Sequence, residues 1–505
     1  MTEPASGTTL LELLHAAPGA NVALLLPETG ARIRYEALRR QVEVAADAFA
    51  AAGIRPGERI ALALPNGPEV VTAFLAASVA GTAAPLNPAY RYEEFRFYLE
   101  DTNARLLVVP PTAGEEARRA AAERNIPILT AEADASGEVR ISGGARARAA
   151  LAPRPGDVAL ILHTSGSTGR PKRVPLQQAN LSISARNIVN TYQLSENDVS
   201  LCLMPLFHVH GLVASTLATF ASGGTVVVPA RFNPLSFWRT LRESGVTWFS
   251  AVPTIHQLIL ARISDTAKPA PAERLRFLRS CSAPLPVATA ERLEALFGVP
   301  VLEAYGMTEA SHQMASNPLP PRARKFGTVG TATGIRIGIM NEAGALEPAG
   351  SKGEVVIEGP SVIRAYENNP EANAKSFVDG WFRTGDEGVL DDDGYLRLTG
   401  RIKELINRGG EKIAPREIDE VLLAHPKVSE AVCFGVPHPT WGEEVAAAVV
   451  LREPVTESEL MAHCRARLAE FKCPKTLYIV KSIPRTATGK VQRLNVAAEL
   501  AGARA

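Results

Sequence analysis

Apolar runs of strand length alternate with helix-period patterns through most of the chain, which predicts α/β layers rather than an all-helical or repeat protein. The clearest unit begins at the strand-like Leu275-Arg276-Phe277-Leu278. It passes through the turn Ser282-Ala283-Pro284 into a helix on which Leu293, Leu296 and Phe297 share a face, and reaches a second strand from Val301 to Tyr305. That order predicts a βαβ unit. The most apolar stretch, Val70 to Ala80, is shorter than the roughly 20 residues of a bilayer span. Bounded by Glu69 and Gly81, it reads as a buried helix, and no membrane insertion is expected.

The stretch from Pro110 to Pro155 is rich in Ala, Arg, Glu and Pro with weak periodicity, and reads as surface-exposed and partly irregular. Beyond Gly400 the texture changes. Short strands, Ala431 to Phe434 and Val445 to Leu451, alternate with two compact helices. In the first, Pro415 suits the opening turn, and Ile418, Val421 and Leu422 share a face. In the second, Thr456 and Glu459 have capping-box spacing ahead of an apolar stripe of Leu460, Met461, Cys464 and Leu468. The expected organisation is a large domain of layered α/β sheets over 1–402 and a small α+β domain over 403–505.

Charge and cysteine content narrow the partners. The 54 Lys+Arg and 53 Asp+Glu leave a formal net charge of +1, so no global field favours nucleic acid or an acidic membrane. Cys202, Cys281, Cys433, Cys464 and Cys473 have neither metal-ligand spacing nor the density of a disulfide-stapled domain, which predicts a reducing, cytoplasmic setting. Met1 to Thr9 does not resemble a cleavable signal, and the ending Ala-Gly-Ala-Arg-Ala does not match a peroxisomal Ser-Lys-Leu. No pattern points to an oligomeric state.

The segment Leu160-Ile161-Leu162-His163-Thr164-Ser165-Gly166-Ser167-Thr168-Gly169-Arg170-Pro171-Lys172 delivers an apolar strand into a loop of hydroxyl and glycine residues. Such a loop brings backbone N–H groups close to phosphate oxygens, and Lys172 adds positive charge. It is not a Walker loop, because no glycine precedes the lysine and no Ser or Thr follows it. A shorter match would read as a plain surface loop.

Taken in order with Tyr305-Gly306-Met307-Thr308-Glu309, Phe382 to Asp386, Gly400 to Lys403 and Pro484 to Lys490, this string resembles the motifs of adenylate-forming enzymes. That superfamily comprises acyl-CoA synthetases, luciferases and peptide-synthetase adenylation domains. The resemblance implies an adenylate-forming fold with a mobile C-terminal domain, and use of ATP, Mg2+ and coenzyme A. A carboxylate would attack the α-phosphate of ATP, expel pyrophosphate, and pass from the acyl-adenylate to the CoA thiol.

The same resemblance implies the residue roles. Thr164, Ser165, Gly166, Ser167, Thr168, Gly169 and Lys172 would hold the phosphates, with Thr308 near the α-phosphate and Glu309 orienting the metal. Adenine would lie between Ser282-Ala283-Pro284 and Glu303-Ala304-Tyr305, the ribose would bind Asp386, and Arg401 would assist. Lys490 would be the catalytic lysine and Lys403 the hinge, with Gly409 and Gly410 turned to the pantetheine channel. Taken alone, Glu309 reads as a salt-bridged glutamate, Tyr305 equally well as core, and Lys490 as a solvated charge.

The walls expected around the acid are Pro205 to Gly211, Val252-Pro253, Arg279 to Ser282 and Ala310 to Met314. They bring His208, Ser280, Ser282 and His312 to a place where a fatty-acid enzyme offers mostly apolar groups, and a desolvated second carboxylate needs such partners. Pro205-Leu206-Phe207-His208-Val209-His210-Gly211-Leu212, Arg279 to Ala283 and Arg401 to Lys412 also resemble the oxalyl-CoA synthetases of plants and yeast, with departures at Arg173, Pro284, Gly306 and Ser311. The acid expected is oxalate. The alternatives are a medium-chain or aromatic acyl-CoA ligase, a carrier-protein adenylation domain and a non-catalytic nucleotide sensor; each histidine could equally gate or pack.

Overall fold

The computed structural model describes residues 8–143, 148–164, 171–262, 273–485 and 491–502. Two large sheets share one core. The nine-stranded sheet has a parallel centre, in which Val199–Cys202, Trp248–Ala251, Phe277–Ser280 and Val301–Met307 run side by side. The seven-stranded sheet is likewise parallel through Ile128–Ala133, Ala104–Val109, Arg59–Leu62, Thr82–Pro85 and Val158–Thr164, and ends in the antiparallel strand Lys172–Gln177.

The helix Pro68–Ala80 lies in the shared core with residues such as Val71, Phe74 and Ala77 wholly buried. An all-round apolar helix needs cover on every side, and here that cover is protein. Among the described residues no helix is long and apolar enough to cross a membrane. The βαβ unit forms as expected: the helix Val287–Phe297 connects the parallel strands Phe277–Ser280 and Val301–Met307, with Leu293 fully buried.

The stretch after Pro110 is partly irregular and largely exposed, as expected, but it carries more regular structure than its weak periodicity suggests. A helix Glu115–Glu123 and the strands Ile128–Ala133 and Val139–Ser142 continue the seven-stranded sheet. Ala117, Ala120 and Ala121 make up the buried face of that helix. Alanine buries a helix face without the bulk that makes a hydrophobic stripe conspicuous in a sequence.

A six-stranded antiparallel sheet occupies residues 336–401, and a five-stranded sheet occupies 406–479. The last sheet has a core on each face. One side packs Ile418 and Leu422 of the helix Pro415–Leu423 with Leu460 and Cys464 of the helix Glu457–Arg465. The other packs Phe434, Ala446, Ile483 and Val496. Its long strands, Val428–His438 and Gly442–Leu451, extend beyond the short apolar runs visible in the sequence. The expected capping box is present: Glu459 N–H donates to Thr456 Oγ1 at 3.2 Å, and Thr456 N–H donates back to Glu459 at 3.1 Å.

Gly330 joins the nine-stranded and six-stranded sheets. Its carbonyl accepts from Leu396 N–H at 2.8 Å, its φ is +80°, and a Cβ there would collide with the Ser316–Asn317 backbone. Gly298 shares the left-handed geometry, at φ +69°, but faces open space. Gly298→Ala is therefore expected to cost about 1–2 kcal/mol from backbone strain, and Gly330→Ala at least about 2 kcal/mol more from the collision. Thermal-unfolding midpoints followed by circular dichroism compare the two; equal drops would show that the sheet junction yields.

Candidate active site

The strands Val158–Thr164 and Lys172–Gln177 form a hairpin whose ladder sets Thr164 opposite Lys172. Residues 165–170, which carry the expected Ser165, Gly166, Ser167, Thr168 and Gly169, lie outside the described residues. At the mouth of the hairpin Thr164 Oγ1 donates to Glu309 Oε1 at 3.3 Å, and the Tyr366 hydroxyl donates to the same oxygen at 2.8 Å. The ammonium of Lys172 sits 4.4 Å from the centre of the Tyr366 ring. Burial pushes its pKa down, Glu309 pulls it up, and the charge of Lys403 pushes it down again. Lys403, the expected hinge, is thus within electrostatic reach of this mouth, in the 3-10 turn Ile402–Glu404.

One rung back from its mouth the hairpin is held by polar and charged pairs. His163 Nε2 meets Asp101 at 3.0 Å, and Arg173 lies 3.6 Å from both Asp101 and Glu367. Glu367 also pairs with Arg59. Burial depresses the His163 pKa, so the ring tends to stay neutral against the aspartate.

Thr308 and Glu309 follow directly from the strand Val301–Met307 in a buried 3-10 turn, and the Glu309 carbonyl accepts from Ile363 N–H at 2.8 Å. Among the described residues nothing donates a hydrogen bond to the second carboxylate oxygen of Glu309, and no cluster of three or more His, Cys, Asp or Glu could enclose a metal. A single free carboxylate oxygen beside a phosphate loop fits Mg2+, which takes one or two carboxylates and completes its shell with phosphate and water.

On the nucleotide side, Ala283 is half-buried and Pro284 exposed, while Glu303, Ala304 and Tyr305 are buried. Tyr305 donates its hydroxyl to Asp386, and burial and that carboxylate hold the phenol pKa well above its usual value. Arg401 Nε reaches the other Asp386 oxygen at 3.1 Å, from the position directly across the antiparallel ladder. The carboxylate is therefore held at both of its oxygens. Glu303 accepts from Leu285 N–H at 3.1 Å; burial pushes its carboxyl up to about 7, against the pull of Arg416 from the C-terminal region.

The acid wall differs most from the sequence expectation. His210, placed by sequence only among the wall residues, is fully buried at the start of the π-helix His210–Leu217. Its Nδ1 meets Ser282 Oγ at 3.0 Å and its Nε2 meets Ser250 Oγ at 2.6 Å. Its ring centre is 5.1 Å from that of His312. His208 is half-buried, and its Nδ1 accepts the His210 backbone N–H at 3.3 Å. Ser280 is fully buried, and its hydroxyl has no hydrogen-bond partner among the described residues. Behind the wall, the wholly buried Arg279 donates to Ser250 at 2.8 Å, to Tyr192 at 2.9 Å and to Gln313 at 3.0 Å. Ser282, Ser311 and His312 all have positive φ, at 72°, 56° and 119°. Such strain collects where a site over-determines its backbone.

Gly409 and Gly410 form the turn between the strands Ile406–Arg408 and Glu411–Ile413, at φ +60° and +97°. A Cβ on Gly409 would lie 2.8 Å from the Trp441 ring, so both the turn and the packing require glycine. Lys490 lies outside the described residues, but its flanks are pinned. Arg485 and Val491 form an antiparallel bridge, Arg485 pairs with Glu430 at 2.6 Å, and Arg493 pairs with Asp419 at 2.8 Å and Glu404 at 3.1 Å.

The chain matches the AMP-binding enzyme family over residues 15–367 and the AMP-binding enzyme C-terminal domain over residues 417–490. It is 49% identical over 461 residues to an oxalate–CoA ligase of Arabidopsis thaliana, covering 88% of this chain and 89% of that one. It is 42% identical to an oxalate–CoA ligase of Saccharomyces cerevisiae, covering 94% of each. The crystal structure of ATP-bound MatB from Rhodopseudomonas palustris is similar at TM-score 0.89 and 30% identity, over 98% of this chain and 99% of that one. With this hairpin, carboxylate pair and fold, the chain belongs to the AMP-binding enzyme family, among its AMP-forming acyl-CoA synthetases.

Proposed function

We propose that this acyl-CoA synthetase acts on oxalate, making oxalyl-CoA. The observation that carries the reading is the polar acid wall, in which His210, Ser282 and His312 meet where a fatty or aromatic acid would need apolar cover. A carboxylate leaving water for this wall would exchange its hydration for protein donors. The likeness to two oxalate–CoA ligases points the same way.

In the first half-reaction the nucleotide phosphates would bind the loop from Thr164 to Gly169 with Lys172. Thr308 would donate to the α-phosphate. Adenine would lie between Ser282-Ala283-Pro284 and Glu303-Ala304-Tyr305, and Asp386, steadied by Tyr305 and Arg401, would take the ribose hydroxyls. Mg2+, held by Glu309 and the polyphosphate, would neutralise charge as pyrophosphate leaves. Glu309 is kept in register for this by the Tyr366 and Thr164 hydroxyls. Lys490 would donate to the attacking carboxylate and the bridging phosphate oxygen, the points at which negative charge meets.

The segment 403–505 is taken as a domain that turns about Lys403 against 1–402. The turn would withdraw Lys490 and bring Gly409 and Gly410 to the pantetheine channel. The thiol of CoA then attacks the acyl carbon, and AMP leaves. Cys281 is fully buried and takes no part as nucleophile in this scheme. Five buried free cysteines suit a reducing compartment, and the cytoplasm is the proposed location.

Two measurements test the reading. In a CoA-dependent AMP-release assay, kcat/KM for oxalate is expected to exceed that for octanoate or benzoate by at least about 100-fold, the scale of discrimination by paired buried polar groups. A preference for octanoate or benzoate would replace oxalate with a longer acid. Transfer to a carrier protein but not CoA, or ATP binding without pyrophosphate release, would overturn the CoA-ligase scheme itself. Lys490→Ala is expected to slow adenylate formation by about 100- to 1000-fold while leaving thioester formation from a supplied acyl-adenylate nearly intact. Equal loss in both halves would contradict domain alternation.

A further inference from the structure

Arg279 is a permanent cation with no exposed surface. No Asp or Glu among the described residues pairs with it; its side-chain partners include the neutral oxygens of Tyr192, Gln313 and Ser250, His210 Nε2 and the Cys281 side chain. A buried charge without a counter-ion is costly, and its persistence beside a binding cleft calls for a role.

The geometry supplies one. Arginine has five N–H donors and no acceptor, so every hydrogen bond it makes runs outward. Its Nη1 donates to Ser250 Oγ at 2.8 Å and faces His210 Nε2 at 3.5 Å. A donor aimed at Nε2 favours the tautomer in which that nitrogen is bare. The Ser250 hydroxyl can then donate to Nε2 across 2.6 Å. With Nε2 accepting, neutral His210 carries its proton on Nδ1 and donates it to Ser282 Oγ across 3.0 Å. The Ser282 hydroxyl hydrogen is left to point onward. Burial follows the same direction, from Arg279, Ser250 and His210, all at 0% exposure, to the half-buried Ser282 at the cleft. Ser282 reaches this position with a left-handed backbone at φ 72°, which strains a residue that has a Cβ.

We propose that Arg279 is a specificity-determining positioning residue, whose donor-only guanidinium orients the Ser250–His210–Ser282 chain so that Ser282 presents an O–H donor to the distal carboxylate of the acid. The uncompensated charge two side chains behind that donor favours an acid that remains anionic after its first carboxylate has been adenylated. This inference rests on the proposed oxalate reading for the identity of the acid, but not for the direction of the chain.

The test compares oxalate with glycolate, which replaces the distal carboxylate by a neutral hydroxymethyl group, in the full-length enzyme. Arg279→Met is expected to lower kcat/KM for oxalate by roughly 10- to 100-fold, the value of a charge-assisted hydrogen bond. The loss is expected mainly in the KM for oxalate, with the KM for ATP within about threefold. Arg279→Lys, which keeps the charge, is expected to recover part of the loss. Ser250→Ala, which breaks the chain and leaves the cation in place, is expected to lower the oxalate-to-glycolate ratio by about tenfold, and it decides the matter if the Arg279 variants do not fold. An unchanged ratio in the folded variants would overturn the proposal. A second readout does not depend on the substrate: 15N shifts of histidine-labelled enzyme are expected to show His210 protonated at Nδ1 and bare at Nε2. The opposite tautomer overturns the proposal even if oxalate is turned over. A wild-type enzyme inactive on oxalate would overturn the oxalate reading, leaving the tautomer to decide the direction of the chain.

Discussion

The Glu309 carboxylate is the tie that places the reacting groups relative to one another. One of its oxygens accepts from Tyr366 and from Thr164, while its own carbonyl accepts from Ile363. Three segments far apart in sequence, the phosphate hairpin, the turn after Val301–Met307 and the loop before residue 367, are thereby fixed to a single side chain. Each hydroxyl bond to a carboxylate is charge-assisted and lies in a largely dry setting, so loosening one loosens the others. The Asp101, Arg173, Glu367 and Arg59 group then stiffens the hairpin from behind. What remains at Glu309 is one oxygen with no donor among the described residues, and the proposed nucleotide site is arranged around it.

The acid wall follows a different economy. Its neighbours Ser282, Ser311 and His312 hold left-handed backbone, each at a cost of about 1–3 kcal/mol, and the fully buried Arg279 adds the desolvation of a cation. Hydrogen bonds among Tyr192, Gln313, Ser250, His210 and Ser282 offset part of that cost. A wall made of leucine would be more stable and would favour an uncharged group over a carboxylate. Stability is given up locally for a polar surface, which under the proposed function would meet a second anion, while the large core of alanine, valine, leucine and phenylalanine elsewhere carries the fold.

Much of the fold was legible in the sequence because its signals are local. Pro415 opening a helix, the Thr456–Glu459 capping box and the strand–turn–helix run from Phe277 are each written within a dozen residues. The helix at Glu115–Glu123 was missed because an alanine face carries little hydrophobic contrast. In the candidate site, Thr164, Lys172, Glu309 and Asp386 stand in ordered motifs, which is why the sequence singles them out. Ser250 and Tyr366 stand in no such motif, and Arg279 looked like an ordinary wall residue. They acquire meaning only when parallel strands set Ser250 beside Arg279 in the ladder, which no spacing along the chain reveals. His208 and His210 are separated by one residue, and only the π-helical start at His210 determines which ring turns inward.

Arg485 and Val491, on either side of residues 486–490, are joined by an antiparallel bridge, and the Arg485–Glu430 pair braces it. Through Arg493 that bridge is tied to Glu404, the residue after Lys403, so the flanks of Lys490 and the proposed pivot belong to one braced piece. Under the proposed turn about Lys403, timing would be a matter of angle, with the order of the two half-reactions following from how far that piece has turned.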